Sequence, residues 1–149
     1  MNSSIDDVYK KVGEALHMGQ TLEFLTRTLV AILNDNFDVE IEVEALVIRE
    51  DRKTLGQLIG LLKSHADIDD VGASILKQAL VKRNYIAHEF YIKNNFLFTD
   101  LEHRNKVYQT LVEDTKTIAL GTALMSGFVE GFCEALAIDK SKILVKQSI

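Results

Sequence analysis

Not one of the 149 residues is proline, and along most of the chain an apolar residue returns every three or four positions. Proline fixes φ, removes a backbone donor and breaks helix interiors, so a chain without it is free to run long helices. The 3.6-residue period then marks which face of each helix is buried. Ile5, Val8, Val12, Ala15, Gly19, Leu22, Leu29 and Leu33 keep this rhythm, interrupted only by Thr26, and predict a long amphipathic first helix ending near 34–36. Thr54 and Gln57 make a capping box ahead of a short second helix with Leu55, Leu58, Ile59 and Leu62 on one face. Asp69 and Asp70 suit the start of a third helix, whose stripe is Ile75, Leu76, Ala79, Leu80, Ile86, Ala87 and Phe90 and which frays over 91–95.

Thr99 and Glu102 read as a further capping box. From Leu101 through Tyr108, Leu111, Thr115, Ile118, Thr122, Met125, Val129, Phe132 and Leu136 a nearly seven-residue rhythm follows, which predicts one long helix over 99–137. Unbroken it would span about 58 Å, so a bend near Gly121 or Gly127 is expected. The expected architecture is all-α: an up-and-down bundle of four to five helices with a long C-terminal helix, in a single domain over 1–149. Two features stay open. Residues 37–44 alternate Phe37, Val39, Ile41 and Val43 with acidic neighbours, a pattern that fits a strand or a helix in this context. Ala123, Gly127, Gly131 and Ala135 fall four apart and offer close helix approach, within the chain or across a dimer seam.

Composition removes several function classes. With 47% hydrophobic residues the chain can bury a core without staples. Cys133 is the sole cysteine, which excludes an internal disulfide framework and points to a reducing, cytoplasmic setting. Residues 1–7 are polar and acidic, unlike a secretory signal. Seventeen basic against 22 acidic residues give a net charge of −5, unsuited to coating nucleic acid through a broad basic surface. Glu130, Glu134 and three glycines interrupt the apolar stretch 117–138, so it reads as a packed helix and no membrane association is expected. His17, His65 and His103 lack ligand spacing, Glu130 and Glu134 have no histidine companion, and glycine-rich phosphate loops are absent; no metal or cofactor is expected. Cys133 reads as core, and His103-Arg104-Asn105 reads as exposed polar surface.

One position breaks the helical stripe. Arg83 stands three after Leu80 and four before Ala87, where the pattern asks for leucine. An arginine there must find paired acceptors or an anion to offset its desolvation; an internal carboxylate such as Glu23 would serve. His88 follows five residues later, about 140° around the helix, while Asn84 and His88 share a face.

Arg83, Asn84, three residues and His88 resemble the signature of the HEPN superfamily, all-α domains marked by an arginine, a polar residue and a histidine. The segment Thr54-Leu55-Gly56-Gln57-Leu58-Ile59 is similar to one in small bacterial members. The resemblance covers most of the chain and implies a homodimeric, metal-independent endoribonuclease of a toxin–antitoxin or defence system, with RNA as substrate and an antitoxin or other protein as partner. It implies that His88 acts as general base or acid near neutral pH, that Arg83 holds the scissile phosphate, and that Asn84 binds or orients. Members regulated by nucleotide transfer carry tyrosine two residues after the histidine; here Phe90 stands there and Tyr91 follows, so that control is not implied. Lys82 and Tyr91 are secondary candidates for the site. The alternative is a non-catalytic helical dimerisation or interaction module with a structural Arg-His pair.

Overall fold

A computed structural model describes residues 2–34, 54–65 and 67–135. The described residues are all helical or connecting, with five helices: α1 (Ile5–Asn34), α2 (Leu55–His65), α3 (Asp70–His88), the single-turn α4 (Phe90–Lys93), and α5 (Leu101–Ala135), preceded by a 3-10 turn at Asn95–Phe98. The all-α bundle with its long C-terminal helix is as expected. The alternating segment 37–44 and the end of the expected last helix beyond 135 lie outside the described residues.

Local chemistry sets the helix starts. The Thr54 N–H donates to Gln57 Oε1 (2.9 Å) and the Gln57 N–H to Thr54 Oγ1 (3.2 Å), the expected reciprocal box. Asp69 caps α3 by accepting from the Gly72 N–H at 2.7 Å. At α1, Ser4 and Asp7 make the same arrangement, with the Asp7 N–H donating to Ser4 Oγ at 3.0 Å and the Ser4 N–H to Asp7 Oδ2 at 2.8 Å. The Ser4 N–H, and next its hydroxyl, both donating to Asp7 Oδ2 at 2.8 Å, hold the Asp7 carboxyl below its ordinary pKa. The cap of α5 differs from expectation by one residue: Asp100 Oδ1 accepts from the His103 N–H at 3.1 Å. Thr99 instead follows the 3-10 turn, where its hydroxyl faces the Phe96 carbonyl.

The three long helices run up, down and up. Ser3 meets Asn105 and Met18 meets Thr122, so α1 and α5 are parallel, with α3 antiparallel to both. Their apolar faces close two separate cores. One joins Leu22, Leu25 and Leu29 of α1, the four expected apolar residues of α2, Leu76 and Ala79 of α3, and Met125 and Val129 of α5. The other joins Val8, Val12 and Ala15 to Ile86, Phe90, Leu97, Val107, Leu111 and Ile118. Thr26, the interruption in the α1 stripe, is buried because its hydroxyl is satisfied by the Leu22 carbonyl at 2.7 Å. Ala87, expected on the α3 stripe, is exposed. By length and composition α5 would also suit a membrane span; in the bundle its apolar face walls both cores.

Glycines in α5 have opposite roles. A Cβ on Gly121 would sit 2.5 Å from the Ala79 Cβ, so the hydrogen atom there sets how closely α3 and α5 approach. Gly127 and Gly131 are exposed, and a Cβ on either would meet nothing within 4 Å. The small-residue ridge is therefore not a seam between described helices. Gly121→Ala should destabilise the fold by about 1–3 kcal/mol through overpacking. Gly127→Ala should be neutral or stabilise it by up to about 1 kcal/mol through helix propensity. Urea denaturation of both variants checks the contrast.

Candidate functional site

Between the two apolar cores lies a polar waist, and the Arg83 motif occupies it. Arg83 follows the buried stripe of α3 into the bundle, where its stem crosses α1 at Gly19. A Cβ on Gly19 would lie 2.7 Å from Arg83 Cγ, so glycine makes room for the arginine. Past Gly19 the guanidinium reaches Glu23: Nη2 donates to Oε2 at 2.7 Å, while Arg27 Nη2 donates to the other oxygen at 2.8 Å. The pair is partly withdrawn from water, with side-chain exposures of 22% for Arg83 and 21% for Glu23, so it is screened less than a surface pair.

The second nitrogen of the guanidinium faces outward. Arg83 Nη1 donates to Asn84 Oδ1 at 3.0 Å, which brings an arginine rooted in the bundle to the exposed face of α3. His88 is on that face, one turn beyond Asn84, as the exposed last residue of the helix. A cation is favoured at such a C-terminus. The motif is thus a continuous polar track from Glu23 through Arg83 to Asn84, with the imidazole next along the helix.

The secondary candidates go elsewhere. Lys82 Nζ pairs with Asp114 Oδ1 of α5 at 2.9 Å, a carboxylate with only 7% of its side chain exposed. Tyr91 packs in a ring cluster, its centroid 6.0 Å from Tyr9, 6.4 Å from Phe98 and 5.0 Å from Phe90. Burial, and to a lesser degree Tyr9, push its phenol above the ordinary pKa. The Tyr9, Tyr91 and Phe98 rings of this cluster form a partly exposed apolar ledge directly after His88, and Ile92, Phe96 and Leu101, near them in sequence, are exposed as well.

His103-Arg104-Asn105 is not the exposed polar surface its composition suggested. All three residues are half-buried. Arg104 donates through Nε to the Leu97 carbonyl at 2.7 Å and through Nη2 to that of Phe98 at 3.3 Å, closing the 3-10 turn. Asn105 Oδ1 accepts from the Ser3 N–H at 2.8 Å. His103 Nε2 is buried without a hydrogen-bond partner. Local periodicity holds no signal for these roles, since the hydrogen-bond partners come from other elements. Cys133 is buried, as expected, and among the described residues no group of three His, Cys, Asp or Glu side chains is arranged to hold a metal.

Comparisons with protein-family models, curated proteins and solved structures returned no match.

The Arg83–Glu23 pair is measurable as a coupling. A double-mutant cycle over Arg83→Met and Glu23→Gln should give an interaction energy of about 1–3 kcal/mol in equilibrium unfolding. Purely additive effects would mean that the contact contributes nothing to the fold.

Proposed function

We propose that this chain is a HEPN-like, metal-independent endoribonuclease that works as a homodimer in a toxin–antitoxin or defence setting. The observation that carries the reading is the Arg83 Nη1 to Asn84 Oδ1 hydrogen bond, which places a positive, geometrically fixed donor on the face shared with His88. In this reading His88 removes the proton from a ribose 2′-hydroxyl, whose oxygen attacks the adjacent phosphorus. Arg83 donates to the phosphate oxygens as negative charge builds on them. The P–O bond to the 5′-oxygen breaks, and that oxygen takes a proton from the imidazolium of the second copy. The 2′-hydroxyl nucleophile makes the substrate RNA and not DNA.

The apolar ledge supports a second copy as its occupant. Its three rings, Tyr9, Phe98 and Tyr91, stay 50%, 40% and 36% exposed, and aromatic rings of this kind are favoured in interface cores. Ile92 and Phe96 are 79% and 66% exposed, more than their apolarity favours in a free surface. A two-fold contact here would set the two copies of His88 along one seam. Sedimentation should show a wild-type dimer and a monomeric Ile92→Glu/Phe96→Glu variant; a monomeric wild type would remove the ledge from the account.

A second reading is favoured by one specific contact. The Glu23 carboxylate already meets the positive charge of Arg83 inside its own protomer, as a structural arginine in an interaction module would require. RNA cleavage separates the two. Purified wild type should cleave single-stranded RNA in the presence of chelator, with Arg83→Ala and His88→Ala each at least about 100-fold slower. A wild type that cleaves nothing, or variants that match it, would leave the interaction module.

A further inference from the structure

Gly19, Glu23 and Arg27 recur every four residues on α1, so they share one line of that helix, and the Arg83 side chain crosses from α3 onto that line. The three have separate tasks. Gly19 is the gap: a Cβ there would sit 2.7 Å from Arg83 Cγ, so any larger residue would displace the stem. Glu23 is the catch, its Oε2 accepting from Arg83 Nη2 at 2.7 Å. Arg27 secures the catch, since its Nη2 donates to Oε1 at 2.8 Å and fixes the plane of the carboxylate.

This line decides which way the arginine fork faces. A guanidinium carries its donors in one plane, and rotation about the Nε–Cζ bond exchanges its two outer nitrogens. Asn84 is exposed, so its hydrogen bond to Nη1 competes with water and holds the fork weakly. The bond to Glu23 joins two charged groups, a stronger class than a bond to a neutral amide, and both partners are partly withdrawn from water. With Nη2 tied to Oε2, Nη1 is directed to the Asn84 face. Nη1 has two hydrogens and Asn84 takes one, so the other remains for a phosphate oxygen.

For binding alone a carboxylate would be the wrong choice. Its negative charge, on the other side of the guanidinium from an incoming phosphate, weakens the attraction between them. What it supplies is orientation, which acts on the rate more than on the affinity. We propose that Glu23 is a positioning residue of the ribonuclease site, aiming Arg83 Nη1 at the scissile phosphate without touching the RNA, with Gly19 and Arg27 holding the aim. The inference rests on the ribonuclease reading and gives the internal partner of Arg83 a part in the reaction.

Steady-state cleavage of a fluorescent single-stranded RNA by the full chain tests this, with each variant corrected to its folded concentration by circular dichroism. Glu23→Gln keeps the shape and removes the charge; kcat should fall at least about tenfold, as expected for a misdirected donor, while KM stays equal or decreases. A residue needed only for folding would change neither value. Gly19→Ala keeps every charge and moves the Arg83 stem, and kcat should fall likewise. Gly60→Ala, in α2, where an added Cβ meets nothing within 4 Å, should match wild type. In the wild-type protein Nη1 and Nη2 of Arg83 should give separate nuclear magnetic resonance signals, because the ion pair stops their exchange; a single averaged signal overturns the proposal even if neither variant folds. If wild type cleaves and either folded variant keeps its kcat, Glu23 is structural alone and the ribonuclease reading stands without it. If wild type cleaves nothing, that reading fails and the proposal fails with it.

Discussion

The ion pair between Arg83 and Glu23 ties α3 to α1 at the polar waist between the two apolar cores. Around it the waist collects the other polar crossings: Lys82 to Asp114 between α3 and α5, and the Thr122 hydroxyl to the Met18 carbonyl between α5 and α1 at 3.3 Å. Each links two of the three long helices. Apolar packing is non-directional and tolerates sliding, whereas a charged contact at 2.7 Å fixes one register. Gly19 and Gly121 complete the device from the steric side, one admitting the Arg83 stem and the other the Ala79 methyl of α3.

The same contact limits the chemistry. Glu23 holds Arg83 Nη2 and shares its other oxygen with Arg27, so in the proposed ribonuclease only the outward side of the guanidinium would be open to a phosphate. A phosphate arriving on the Asn84 face would meet Nη1 without requiring the Nη2 to Glu23 bond to break. That geometry permits Arg83 to be a structural residue and a phosphate ligand together. Under the ribonuclease function proposed above, a net charge of −5 would require the positive charge to be positioned at one point and not spread over a surface.

Much of the fold was legible because local rules decide it. The helical period, the Thr54–Gln57 box and the Asp69 cap depend only on residues within a turn of each other, and each stands where the spacing put it. Arg83 was legible as an anomaly, and its carboxylate partner as a requirement that Glu23 meets. What stayed hidden depends on contacts distant in sequence. Asp114 falls on a charged stretch of α5 and is buried only because Lys82 faces it. Arg104 and Asn105 look like surface until Leu97, Phe98 and Ser3 supply their partners. Thr99 and Asp100 are both good caps, and the 3-10 turn, invisible in the period, decides between them.

Identifying the ends of the RNA fragments left by the protein tests the enzymatic account most directly. Attack by the 2′-hydroxyl, with Arg83 on the phosphate and His88 moving the proton, predicts 2′,3′-cyclic phosphates at the upstream fragments by mass spectrometry, formed in the presence of chelator, and no scission at a position substituted with 2′-deoxyribose. Fragments with 5′-phosphate ends, or scission at the deoxyribose position, would contradict it.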